Sequence, residues 1–422
     1  LVQWNAFLIT FLAVFILSTV VRSILRWLNT RHLARFGGMV PRVFSGEIDD
    51  KTLAAMRDYT LALSRIGTFE LIVDDLALLI FLLSGILPWL AGMSTMSGTY
   101  PVLSGILFFF ICSIVLGVIE IPFDLYRTFV IEKKFNFSTM ILRLWLKDLA
   151  KSILLSGIIM GILLSAILAT IYAMPKFWWL PAWAVFVLFQ LLMTYLYPVL
   201  IAPMFNKFEP IKDQDLIMRI SVLMKRTGFR FGGLFKMDAS MRSRHTNAYF
   251  TGIGKTKRIV LFDTLLNTHT HEEIASVLAH ELGHMKKGHV RKQIIASIVL
   301  SLAGFYLTSL FIGWPLLYQT LGFNRVIPFA GLVLLSLLAK PFSFFLIPIG
   351  SVISRRFERQ ADMFAYELTG TAEPMIQALK RLAKDNLSNL HPHPLYAWFY
   401  YSHPPLVERV ETLEKIERIH FA

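Results

Sequence analysis

The sequence predicts a mainly α-helical, polytopic membrane protein with a small α+β segment on one side of the bilayer. Three observations predict it: seven apolar runs long enough to cross, basic residues confined to alternate connections, and a histidine pair with metal-ligand spacing in the longest connection. Of the 422 residues, 55% are hydrophobic, 14% aromatic and only 17% charged. Soluble domains carry about 25% charged residues, so lipid must solvate much of this surface. Disordered and collagen-like chains are excluded by the same composition. The single cysteine, Cys112, sits in an apolar run and can form neither an internal disulfide nor a cysteine-based zinc cluster. A metal site here must use His, Asp or Glu.

Apolar runs of the length a bilayer demands, about 20 residues, cover 4–28, 71–90, 102–121, 152–173, 179–202, 294–317 and 326–350. The first has no basic residue ahead of it, and Arg22 and Arg26 come at its far end, so it reads as an anchor rather than a cleaved signal. Connections 91–101, 174–178 and 319–325 hold only Lys176 and Arg325. The connections 29–70, 122–151 and 203–293 and the tail from Ser351 are rich in Lys and Arg, which places them in the cytosol. An odd number of spans then puts the N-terminus outside and the C-terminus inside. The net charge of +14 is thus a topology signal and an attraction to anionic headgroups. No basic stripe with interleaved aromatics stands apart from these loops, so no nucleic-acid partner is expected.

Asp74 and Asp75 open the second span, and Lys340-Pro341 interrupts the seventh. Ionisable groups at that depth either face a bundle interior or a wet cavity, or lie at the interface with Lys340 snorkelling. No internal repeat or inverted pair of broken helices is evident, which argues against a secondary transporter. The chain divides into a membrane region 1–204, a catalytic segment 205–292, two further spans in 293–350 and a C-terminal catalytic segment 351–422.

Within 205–292, short strand-like runs at 233–237, 247–251 and 258–262 predict a small sheet, with Gly252 and Gly254 turning a hairpin. Thr270 followed by Glu273 is a capping-box pattern that opens a helix. That helix carries His280-Glu281-Leu282-Gly283-His284. The four-residue spacing puts both imidazoles on one face, as two bonds to one zinc ion require, and leaves Glu281 beside a metal-activated water. Zinc lowers the pKa of that water to about 7, and the carboxylate takes its proton.

A catalytic zinc site has three protein ligands and an open position. His289 is near, but Gly288 and His289 miss the register of the longer H-E-x-x-H-x-x-G-x-x-H pattern, so it reads as a helix-end histidine or a support for a ligand. Glu358 and Asp362 stand four apart on a predicted helix, where one carboxylate would bind the metal and the other would orient a ligand histidine. The plain alternative is a solvated charged face. Near the end, Ser402-His403-Pro404-Pro405 suggests a rigid turn entering a helix, which would hold His403 and Arg409 in place to stabilise a tetrahedral oxyanion.

Together these residues resemble a known family. His280-Glu-Leu-Gly-His284, Ser354-Arg-x-x-Glu358-x-x-Ala-Asp362, Asn247-Ala-Tyr-Phe250, the run from Lys257 to Leu266, Ser402-His-Pro-Pro-x-x-Glu-Arg409, and Tyr197-Pro-Val-Leu-Ile-Ala-Pro203 leading to Phe205-Asn-Lys-Phe208 are similar to the motifs of Ste24-type integral-membrane zinc metalloproteases, the type I CAAX prenyl proteases of the M48 group. The resemblance implies seven tilted helices forming a barrel around a water-filled chamber, closed at the cytosolic end by a gluzincin-like protease domain. It implies one Zn2+ held by His280, His284 and Glu358, with Glu281 as general base and Asp362 behind a ligand. It implies that His403 and Arg409 flank the scissile carbonyl and that Asn247 holds substrate backbone. The implied partners are the lipid bilayer and a peptide or protein substrate, prenylated at its C-terminus in the family's CAAX-processing members. The membrane would be the ER membrane or a bacterial inner membrane. For a bacterial member, quality-control cleavage of membrane proteins without prenyl specificity is the alternative, and a transporter or channel with a closed four-ligand structural zinc is a more distant one.

Overall fold

The computed structural model of the chain describes residues 2–95, 100–229, 232–251 and 258–420. The membrane region begins with helix α1 (Ala6–Phe36), α2 (Asp50–Leu83), α3 (Ile86–Thr95), α4 (Pro101–Tyr126), α5 (Leu142–Ala173) and α6 (Trp179–Leu196). The next segment holds strand β1 (Phe208–Pro210), helix α7 (Gln214–Thr227), strands β2 (Leu234–Met237), β3 (Ala248–Thr251) and β4 (Arg258–Phe262), and helix α8 (His271–Lys286). Helices α9 (His289–Phe311) and α10 (Pro328–Phe344) return to the membrane. The chain ends with α11 (Ile347–Thr369), α12 (Glu373–Asp385), α13 (Pro394–Tyr400) and α14 (Leu406–His420).

Five helices are long and apolar enough to cross alone, and two bent pairs, α2 with α3 and α10 with α11, raise the number of candidate spans to seven. The second and seventh spans are therefore not the straight rods the hydropathy suggested. The second turns by 60° near Gly85, which takes the left-handed conformation (φ +84°) that glycine alone adopts without cost. The seventh turns by 60° after Phe344, so the last residues of the expected 326–350 run belong to α11.

The spans close on themselves. Each packs on its sequence neighbours in the order α1, α2, α4, α5, α6, α9, α10, and α10 returns to α1. At the end away from the soluble segments, Phe11, Phe15, Leu82, Phe108, Leu168, Tyr318 and Phe329 fill the ring with a continuous apolar core. Outside that plug the packing is looser, and none of the apolar window of α9 is buried. Asp75 resolves in favour of a paired interior position: it is 6% exposed, accepts from Thr19 and forms an ion pair with Arg22 of α1 at 2.9 Å. Asp74 is half-buried and Lys340 exposed.

The soluble half is built on a four-stranded sheet in the order β1-β2-β4-β3, with β2 and β4 parallel and both outer strands antiparallel to their neighbours. The expected hairpin pairing holds, with Thr251 opposite Arg258, whereas Gly252 and Gly254 lie outside the described residues. Strand β1 had no signal in the sequence, since Phe-Glu-Pro is too short to alternate, and its proline is tolerated because β1 is an edge. Leu216, Ile220 and Leu223 of α7, Ile259 and Leu261 of β4, and Ile274, Leu278 and Leu282 of α8 form the core beneath the sheet. Met56 and Leu53 of α2 pack with Met375, Leu379 and Leu413, so the basic connection between the first two spans is part of the soluble unit.

Helices α8 and α11 cross in near-contact at Gly283. A Cβ there would sit 2.9 Å from the Ala361 Cα and 3.0 Å from its carbonyl oxygen, backbone atoms that can yield only if the helices separate. Gly283→Ala should therefore lower thermal stability by about 1–3 kcal/mol, the usual cost of overpacking. Gly304→Ala in α9, where nothing lies within 4 Å of the added carbon, is the control. Equal melting temperatures for the two variants would contradict the close crossing.

Candidate metal centre

Helix α8 starts where the capping pattern said it would. Thr270 Oγ1 accepts from the Glu273 amide at 3.2 Å, and Glu273 Oε2 accepts from the Thr270 amide at 2.8 Å. Its apolar face, Ile274, Leu278 and Leu282, is spent on the core. The turn containing His280, Glu281 and His284 is left facing α11, which presents Glu358 and Asp362 one turn apart.

Three side chains converge, Glu358 meeting each imidazole with a different oxygen. His280 Nε2 and His284 Nε2 are 3.2 Å apart, His280 Nε2 lies 3.4 Å from Glu358 Oε2, and His284 Nε2 lies 3.2 Å from Glu358 Oε1. Bonds of about 2.0–2.1 Å in a tetrahedron imply donor separations of about 3.3–3.4 Å. The spacing thus fits a zinc-sized ion. Glu358 is a buried carboxylate whose close partners are imidazoles, the donor chemistry a divalent cation would share. Among the described residues, His280, His284 and Glu358 are the group able to hold a metal.

Each imidazole is gripped from behind. His280 Nδ1 donates to Asp362 Oδ1 at 2.7 Å, and Arg409 donates to both oxygens of Asp362 at 3.0 and 2.6 Å. His284 Nδ1 lies 3.0 Å from His289 Nδ1, whose other nitrogen meets Gln360 Oε1 at 2.9 Å. His289 is therefore turned away from the donor group, the supporting position expected of it. Gln360 had no signal of its own in the sequence. Nor did the role of Arg355, which is 7% exposed and donates to the carbonyls of Ala397 and Tyr401, pinning the turn that leads to His403.

The other predicted residues are placed as follows. His403 precedes α14 on the expected Pro-Pro turn, and its Nδ1 lies 2.7 Å from Glu358 Oε2 with the side chain largely exposed. Arg409 is buried and commits two nitrogens to Asp362, because a buried carboxylate demands a counter-ion. Asn247 is exposed just before β3, which packs on α8, and its Oδ1 accepts from the Ala248 amide.

Burial by itself lowers the pKa of His280, but the hydrogen bonds to Asp362 and Glu358 outweigh it and raise it to about 9. Burial raises Glu281 above the ordinary carboxylate value, against the pull of His280 and His284. A third cluster steadies the approach to β3: His245 bridges Glu132 Oε2 at 3.1 Å and Asn386 Oδ1 at 3.0 Å and stacks on Phe137. Burial lowers its pKa, but these hydrogen bonds and the Glu132 charge raise it overall.

Two protein families together match most of the chain. Residues 29–207 match the model of the CAAX prenyl protease N-terminal region with five membrane helices, and residues 210–417 match peptidase family M48. The chain is 36% identical to a CAAX prenyl protease 1 homolog of Arabidopsis thaliana, over 89% of this chain and 90% of the relative. It is 34% identical to CAAX prenyl protease 1 of Saccharomyces cerevisiae, over 89% of each. The crystal structure of S. mikatae Ste24p superposes with a TM-score of 0.89 at 31% identity, covering 97% of this chain and 99% of that one.

With its folded pKa raised from 6.5 to about 9, His280 stabilises the metal-free protein fully below pH 6.5 and loses that contribution as pH climbs toward 9. The melting temperature of chelator-treated protein should fall across this interval. A flat profile there would contradict the hydrogen-bonded imidazolium.

Proposed function

Since the chain belongs to peptidase family M48, with the membrane region of the CAAX prenyl proteases, we propose that it is a zinc endopeptidase that cleaves peptides inside a membrane-enclosed chamber. It is a multi-pass membrane metalloprotease. The zinc, the residue roles, the cytosolic orientation and a prenylated C-terminal substrate are our reading, and the single observation that carries it is the convergence of His280, His284 and Glu358, whose facing atoms lie 3.2–3.4 Å apart.

In this reading the three donors hold zinc, which supplies Lewis-acid polarisation and makes water acidic enough to attack near neutral pH. Glu281, half-buried beside the two imidazoles, removes the proton of the attacking water and passes it to the leaving amine as the C–N bond breaks. His403 stands at the open side and donates to the oxyanion that the attack creates. Asp362 holds His280 in the tautomer that leaves Nε2 bare, and Arg409 holds Asp362, acting as a positioning residue. The substrate adds as an extended strand to the free edge of β3, with Asn247 binding its backbone.

A closed structural site is disfavoured by the same geometry. His289 is occupied behind His284, and His403 is largely exposed, so three donors and an open side remain. The basic connections at the catalytic end support a cytosolic site. The closed order of span contacts, with α10 returning to α1, supports an enclosed reaction space.

Glu281→Gln should retain zinc and lose peptide hydrolysis by about 10²–10⁴-fold, the contribution of a general base. Turnover near the parental rate would end the mechanism. Purified protein should cleave a farnesylated CAAX peptide faster than its unlipidated twin, with both reactions stopped by chelator. Equal rates would remove prenyl specificity and favour general cleavage of membrane proteins, leaving the peptidase intact.

A further inference from the structure

The two candidate ligand imidazoles are supported in different ways. His280 backs onto a carboxylate, Asp362, itself neutralised by Arg409. His284 backs onto a neutral pair. Its Nδ1 meets His289 Nδ1 at 3.0 Å, and His289 Nε2 meets Gln360 Oε1 at 2.9 Å. His289 is 1% exposed and lies flat on Phe357, with ring centroids 4.1 Å apart and planes 6° from parallel.

Proton counting gives this chain of contacts a direction. Two imidazole nitrogens at hydrogen-bond distance share one proton, so one of His284 and His289 donates and the other accepts. The Gln360 oxygen carries no proton, so His289 Nε2 must donate to it. A neutral His289 with its proton on Nε2 has a bare Nδ1, which must accept from His284 Nδ1. That leaves His284 Nε2 with a free lone pair, and this is the atom 3.2 Å from both His280 Nε2 and Glu358 Oε1. Reasoning back from the metal gives the same order, because a metal-bound Nε2 requires the proton on Nδ1.

We infer that His289 and Gln360 form a hydrogen-bonded relay that sets the tautomer and ring orientation of His284 for metal binding. The inference rests on the zinc reading of the His280, His284 and Glu358 group and adds two positioning residues to it. The relay also joins three elements. Gly288, in the left-handed conformation (φ +66°), breaks α8 from α9 and lets the first residue of the sixth span fold back under His284. Gln360 comes from α11, two positions after Glu358. The span that enters the membrane therefore begins with the residue that aims a metal ligand.

Zinc affinity of the full-length protein, measured by competition with a chromogenic chelator, tests this. His289→Phe keeps an aromatic ring against Phe357 and removes the acceptor, and should weaken zinc binding about 10–100-fold, the usual effect of losing such a support. Gln360→Leu should weaken it as well, while Gln360→Glu, which still accepts from His289, should keep the parental affinity. Melting temperatures of the chelator-treated proteins separate lost packing from lost metal support. Parental affinity in His289→Phe, or equal losses in Gln360→Leu and Gln360→Glu, would overturn the relay. If His289→Phe does not fold, the two Gln360 variants decide it. Failure of the parent to bind zinc, or undiminished binding by His280→Ala, would instead overturn the metal reading itself.

Discussion

Everything at the catalytic end depends on how closely α8 and α11 cross. Gly283 removes the one side chain that would hold the backbones apart, and Ala361 opposite is the smallest residue that still has a Cβ. Only at that separation do two imidazoles on one helix and a carboxylate on the other come within 3.2–3.4 Å of each other. Two membrane helices lie between α8 and α11 in the chain. Their lengths and the closure of the ring against α1 decide where α11 re-emerges, so the membrane region sets the geometry of the site as well as anchoring it.

The site also shows how a protein carries charge into a buried place. Asp362 is 6% exposed and Arg409 9%, a burial neither ion tolerates alone. Paired with each other and with His280, they leave no uncompensated charge, and the pair's direction defines which nitrogen of His280 faces Glu358. The neutral support behind His284 does the equivalent work without adding charge. This economy matters where three more polar groups, Glu281, Glu358 and His403, share the same small volume.

Much of this was legible beforehand because it is local or periodic. The spans follow from apolar length, the start of α8 from Thr270 and Glu273, and the paired imidazoles from a four-residue spacing on a helix. Glu358 and Asp362 could be singled out as a pair, but the residues alone did not say which would face the metal. What failed was of another kind. The bends after Leu83 and Phe344 lie inside apolar runs that hydropathy treats as uniform. Strand β1 is too short to alternate. The ion pair of Arg409 with Asp362 joins two helices far apart in the chain, so short-range spacing gave no sign of it. Gln360 is one polar residue on a charged face until His289 is seen beside it.

By itself, then, the sequence determined the solvent of each segment, the helix that bears the imidazoles and the chemistry those side chains can perform, since these depend on residue type and short-range spacing. Tertiary structure alone decided that the ring closes, that Glu358 rather than Asp362 joins the imidazoles, and which group stands behind each ring. Those outcomes are set by contacts between residues far apart in the chain, where a shift of about 1 Å in helix crossing would undo the donor triangle.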